Sequence, residues 1–134
     1  MNRVNLKPLG ALDSESRGYN HVVVVEDARK LVFVSGQGAL DENLNVIGAG
    51  DVEAQAYATL ANVRRGLEAA GASPADVVKM VTYVTDITDK QPAVRQARLA
   101  FFDGSPPSAS TMVEVSRLPI DGMLIEIDVI AAIA

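Results

Sequence analysis

Met123-Leu-Ile-Glu-Ile-Asp-Val-Ile130 reads as a β-strand with apolar residues on both of its faces. Strand side chains alternate, so Met123, Ile125, Ile127 and Val129 point one way while Leu124, Glu126, Asp128 and Ile130 point the other. Helices can cover one of these faces. The other also needs a partner, and the rest of the chain decides whether it has one.

Upstream, Thr111-Met-Val-Glu-Val115 is expected to pair with this strand across the turn Arg117-Leu-Pro-Ile-Asp-Gly122. Val77 to Thr85 alternates and is rich in β-branched residues, which predicts another strand. The runs His21-Val-Val-Val-Val-Glu26 and Leu31-Val-Phe-Val34, separated by Asp27 to Lys30, predict a hairpin. Two helices lie between these strands. Asp51 is placed as the N-cap of the first, whose stripe Val52, Ala56, Leu60, Val63, Leu67 and Ala70 ends before Gly71 at the C′ position. Ser73-Pro-Ala-Asp76 predicts a single helical turn. Asp89 and Pro92 open the second helix through Ala93, Ala97 and Phe101, and Asp103-Gly-Ser-Pro-Pro107 stops it.

The expected order is therefore β-β-α-β-α-β-β. Two helices suffice for one face of a mixed sheet, giving an α+β fold whose other face is open. That face is expected to be buried by oligomerisation, in keeping with a mean hydropathy of +0.17.

The 134 residues are expected to form one domain, residues 1–134. Aromatics are only 4% of the chain against 49% hydrophobic residues overall, so the core must come from Val, Ile, Leu and Ala. A net charge of −5 repels phosphate backbones and argues against nucleic-acid binding. Without Cys there is no thiolate nucleophile or Cys-based metal site, and with a single His no metal centre or other cofactor is expected. Met1 to Gly10 lacks the apolar core of a signal peptide, and no stretch reaches the ~18 apolar residues of a membrane span. No membrane association is expected, and the expected location is the cytoplasm.

His21 reads as a surface residue, and no G-x-S-x-G elbow exists for a serine nucleophile. Gly36-Gln-Gly38 and Gly48-Ala-Gly50 are incomplete as dinucleotide fingerprints and read as turns. Arg64-Arg65 reads as a solvated helix face. Glu126 stands apart, because an ionised carboxylate in mid-strand is costly to bury without partners. Either it faces water beside Asp128, or it lines a subunit cleft where it could orient or deprotonate water for attack on a carbon–nitrogen double bond.

Taken together, Gly18-Tyr19, Val34-Ser-Gly-Gln37, Ala54-Gln55, Leu60-Ala-Asn62, Leu67-Glu-Ala-Ala-Gly71, Val113-Glu-Val-x-Arg-Leu-Pro119 and Ile125-Glu-Ile-Asp-Val-Ile-Ala131 resemble the RidA (YjgF/L-PSP) family. Its best-studied members hydrolyse reactive enamines and imines to ketoacids and ammonia. The resemblance implies a chorismate-mutase-like (bacillus-type) α+β fold and a homotrimer with small-molecule clefts between subunits. It also implies roles for individual residues: Glu126 as the acid that positions water, Tyr19 as the pocket tyrosine, Ser35 and Gly36 as pocket wall, and Ser110, Thr111 and Met112 at the ligand.

One position departs from the family. Deaminating members carry an arginine three residues before Val113-Glu-Val115, where this chain has Ser110, and no Arg or Lys occurs from Leu99 to Ser116. A guanidinium grips a carboxylate through two charge-assisted hydrogen bonds, whereas a hydroxyl offers one donor and no charge. Either another cation reaches the pocket, with Lys90, Arg98 and Arg117 as candidates, or the ligand is not an ordinary 2-imino acid. The functional readings are a RidA-like imine or enamine hydrolase and a non-catalytic metabolite-binding trimer. The ribonuclease activity of some relatives fits the acidic charge and lack of a basic patch less well.

Overall fold

The computed structural model describes residues 1–134. Six strands and two α-helices follow the order β1 (Asn2–Leu6), β2 (Val22–Glu26), β3 (Lys30–Gly38), α1 (Val52–Ala69), β4 (Val77–Val84), α2 (Gln91–Phe102), β5 (Ala109–Glu114) and β6 (Ile125–Ile133). Four strands form a mixed sheet in the order β3-β6-β4-β5, with β6 antiparallel to both its neighbours and β4 parallel to β5. Both helices lie on one side of it, giving the α+β architecture expected from the sequence.

The alternation in β6 is as expected. Ile125, Ile127, Val129 and Ala131 are buried toward the helices, while Glu126, Asp128 and Ile130 are only half-buried on the opposite face. Val63 and Leu67 of α1, Met80 and Val84 of β4, and Val94 and Phe101 of α2 complete the core. Full burial of each such side chain stabilises by roughly 1.5–3 kcal/mol. Close approach is part of the design: a Cβ on Gly66 of α1 would lie 2.9 Å from Val34 Cγ1. On the uncovered face Phe33 is 71% exposed and Leu31 56% exposed, so a strip of apolar surface runs along β3.

The boundaries of α1 and of the short turn after it follow the sequence signals, whereas α2 begins at Gln91 with Lys90 at its N-cap and no side-chain cap, so Asp89 does not cap it as expected. Asp51 Oδ1 accepts from the Ala54 N–H at 3.0 Å, and Gly71 takes a left-handed φ of 75° just past the end of α1. Ser73 and Asp76 cap the 3-10 turn Pro74–Asp76 reciprocally.

The strand pairings differ from the expectation in three ways. First, Asn2–Leu6 is a strand, β1, which pairs antiparallel with β2. Its only apolar residues are Val4 and Leu6, both exposed, too short an alternation to mark a strand, and the segment is anchored from afar: Arg3 donates to the carbonyls of Ala75, Pro106 and Pro107.

Second, β2 and β3 do not form the expected hairpin, because they belong to different sheets. Asn20 bridges to Ala109 at the β5 edge and donates to Pro107 O, whereas β3 is the opposite edge strand. Those edges are three strand spacings apart, about 14 Å, a distance that five extended residues are needed to cross. A ribbon spent on crossing cannot also lie alongside β3.

Third, β5 and β6 are not partners. The connection between them is too long for a tight turn and carries β6 to the middle of the sheet, while β5 pairs with β4 and stays at the edge. Apolar β6 takes the central place and the more polar Ala-Ser-Thr-Met-Val-Glu of β5 takes the rim.

Candidate functional site

The site residues expected from the sequence fall into two groups on opposite faces of the sheet. Glu126 on β6 belongs to the open face, next to the β-bulge that Ser35 and Gly36 form where the β3 register shifts between Val34 and Gln37. A bulge re-aims the strand locally. A Cβ on Gly36 would lie 2.8 Å from Glu126 Cδ and 2.9 Å from Oε2, so any side chain there would displace this carboxyl group. Ser35 is exposed, and its carbonyl accepts from Gln37 Nε2.

The surroundings of Glu126 are acidic. Burial first, and then the neighbouring charge of Asp128, push its pKa above the usual glutamate range. Tyr83 on β4 donates to Asp128 Oδ2 at 3.1 Å, and that hydrogen bond is the main reason its own pKa is raised. Thr111 lies on this same face, where its hydroxyl accepts from Lys79 Nζ at 2.9 Å.

Buried amides brace this region. Gln55 on α1 is fully buried and fully satisfied: its Nε2 donates to Gly48 O and Gly122 O, and its Oε1 accepts from the Leu124 N–H. It ties the helix to the loop that starts β6 two residues before Glu126. Asn62, two turns on, donates to Gly38 O and Leu40 O just after the bulge. Gln55 lies off the apolar stripe of α1, and only its hydrogen bonds explain a buried amide there.

Tyr19, Ser110 and Met112 lie on the helix side. With Arg17, Arg95 and Arg98 they line a cavity of about 320 Å³ between the 3-10 turn Glu15–Arg17, α2 and β5. Ser110 and Met112 are register partners of Met80 and Thr82, which face the helices, and this places them there, away from Thr111. His21 is half-buried rather than a free surface residue: Nε2 lies 2.8 Å from Leu12 O, and its ring meets Tyr19 edge-on at 5.6 Å. It holds the pocket tyrosine in place.

Of the three candidate cations, only Arg98 reaches Ser110. Its Nη1 donates to Ser110 Oγ at 3.2 Å and its Nη2 to Arg17 O at 3.3 Å. Lys90 Nζ is occupied by the carbonyls of Thr85 and Asp86, and Arg117 is paired with Asp121 on the surface. Arg64 also departs from its expected solvated place, lying over the Phe101 ring at 5.5 Å and donating to Phe101 O. A basic cluster, Arg17 with Arg95 and Arg98, lines this cavity, although the sequence reading expected no basic patch. Gln91, Arg95 and Arg98 recur at helical spacing, and that pattern is the signal by which this cluster could have been found.

A family model described as endoribonuclease L-PSP matches residues 11–133. The chain belongs to this family, the YjgF/RidA family. A 2-iminobutanoate/2-iminopropanoate deaminase of Salmonella typhimurium is 39% identical over 107 residues, spanning 78% of this chain and 81% of that protein. A Rid family protein of unknown function from Yersinia pestis, YyfB, superposes with a TM-score of 0.92 at 33% identity over 99% of this chain and 100% of its own. The Escherichia coli TdcF structure with bound serine superposes with a TM-score of 0.70 at 31% identity, covering 83% of this chain and 85% of TdcF. The RidA-family motifs read from the sequence thus include scaffold residues as well as site residues: Gln55 and Asn62 brace the β6 and β3 ends on which Glu126 and Gly36 sit. No helix of the chain is long and apolar enough to cross a membrane.

Proposed function

We propose that this RidA-family chain hydrolyses the imine or enamine of a small carboxylic acid, in clefts between the subunits of a homotrimer. Water adds to the C=N carbon to give a carbinolamine. Loss of ammonia from that carbon then leaves the ketoacid. Glu126 orients the water, takes its proton as the C–O bond forms and returns that proton to the nitrogen that leaves as ammonia, and Gly36 and Ser35 form the wall beside it. Tyr19, Ser110 and Met112 hold the ligand from the neighbouring subunit, and Thr111 lies on the rim.

The observation that carries this reading is the seat of Glu126: a carboxyl with a raised pKa, packed over a glycine at a β-bulge, on a face that also carries exposed Phe33. A carboxyl whose pKa is raised by burial accepts a proton more readily than a free glutamate. Neither half of the site is complete in one subunit, since Glu126 and Tyr19 lie on opposite sides of the sheet, and apposing copies of the chain bring the two halves together. The deaminase activity named for the Salmonella relative supports the reaction class.

The test is ketoacid or ammonia release from enzymatically generated imines by wild type and Glu126→Ala. Loss of at least 100-fold in the variant supports the reading. Wild-type release no greater than that of Glu126→Ala overturns it and leaves a metabolite-binding module.

A further inference from the structure

Arg98 is a charged side chain in an energetically unbalanced place. It is only 8% exposed, its Nε has no hydrogen-bond partner, and its two other donors reach neutral oxygens. The single ion pair of the molecule joins Arg117 and Asp121, so no carboxylate neutralises Arg98, Arg95 or Arg17. Burying a guanidinium costs several kcal/mol unless an anion accompanies it. Here a second arginine lines the same cavity, adding like-charge repulsion that, after burial, is a further cause of the lowered Arg98 pKa. Such an arrangement is strained when empty and relieved by an anion.

We propose that the Arg17–Arg95–Arg98 cavity binds a small dicarboxylate, with Arg98 gripping one carboxylate at Ser110 and Arg95 with Arg17 gripping the other. Arg95 and Arg98 are three residues apart on one helix face, which separates their Cβ atoms by about 5–6 Å. The carboxyl carbons of a four- or five-carbon diacid are about 4–5 Å apart at ordinary C–C bond lengths. Leu12 and Met112 supply apolar wall for the carbon chain between them. Three positive charges are more than one carboxylate needs, and a planar fork fits each carboxylate through two parallel hydrogen bonds. As a substrate site this rests on the imine reading, and it makes the substrate the imine of a dicarboxylic acid. As a binding site it stands alone.

The test uses unreactive probes: calorimetric titration of wild type, Arg98→Met, Arg98→Lys and Arg95→Gln with succinate, butyrate and inorganic phosphate. Wild type is expected to bind succinate at least tenfold more tightly than butyrate or phosphate. Arg95→Gln should reduce succinate binding to the level of butyrate. Arg98→Met should lose both acids, and Arg98→Lys should lose at least tenfold because the fork is gone. Arg98→Met should melt no lower than wild type, since it removes an unpaired buried charge, whereas a merely structural arginine would leave a less stable protein. Equal binding of succinate and butyrate overturns the proposal, as do phosphate binding as tight as succinate, no binding by wild type, or unchanged binding by Arg98→Met. Succinate binding without imine hydrolysis would sink the catalytic reading alone. Hydrolysis with no preference for dicarboxylic substrates would sink this proposal alone.

Discussion

Arg98 Nη1 donates to Ser110 Oγ at 3.2 Å, so a guanidinium already lies against the β5 position that carries Ser110. This changes what an arginine at position 110 would do. Ser110→Arg should not restore a missing clamp but force a second cation against a buried one, costing about 3 kcal/mol. Ser110→Arg combined with Arg98→Met moves the charge back to β5 and should recover most of that loss. Urea denaturation of the two variants checks this, and a single variant as stable as wild type would contradict it.

Gly36→Ala tests the seat of Glu126. The added methyl would sit 2.8 Å from Glu126 Cδ and displace the carboxyl group. A shift of about 1 Å in a catalytic group costs on the order of 100-fold in rate. The expected result is a fall in kcat of that size with little change in melting temperature, because both residues are at the surface of the sheet.

The pH dependence follows from the raised pKa of Glu126, caused by burial and then by Asp128. The native state holds this proton more tightly than the unfolded state. Its contribution to stability is therefore present at low pH and lost as pH rises from about 4.3, the ordinary glutamate value, through the folded value. Glu126→Gln should flatten that fall. The water-orienting form is the carboxylate, so kcat/KM should rise with pH through a midpoint above the ordinary glutamate value. Asp128→Asn removes the neighbouring charge and should move that midpoint to lower pH. An unmoved midpoint would show that Asp128 does not tune Glu126.

Gln55→Leu should destabilise the fold by about 3 kcal/mol, because it leaves Gly122 O and the Leu124 N–H without their partner in the interior. The measurement is equilibrium unfolding. A change within 0.5 kcal/mol, roughly the size of an ordinary surface substitution, would remove Gln55 from its bracing role.

Local signals in the sequence were sufficient for the helices and for the two-faced strand. Asp51, Gly71 and the Ser73–Asp76 box act through bonds to near neighbours, so their residue types alone locate the helix ends. Strand partners were not legible in the same way. Asn2–Leu6 is held by Arg3 reaching carbonyls more than seventy residues away, and β2 leaves β3 because its start is anchored at the far edge of the sheet. The candidate site shows the same division. Glu126, Tyr19 and Ser110 are candidates that the motifs offer, but the choice of Arg98 over Lys90 and Arg117 as the cation beside Ser110 depends on how α2 docks against β5. No local pattern contains that docking.

The two halves of the proposed site allow subunit complementation. Glu126→Ala removes the water-orienting group, and Tyr19→Phe combined with Arg98→Met removes the ligand grip on the other half. Each variant alone should be inactive toward imines. If every cleft takes one half from each of two neighbours, random co-assembly of equal amounts leaves about one quarter of the clefts of a symmetric ring intact. The expected result is recovery of about that fraction of wild-type ketoacid release after the two variants are unfolded and refolded together. Mixed oligomers that form but stay inactive would contradict the shared cleft at which Glu126 is proposed to act.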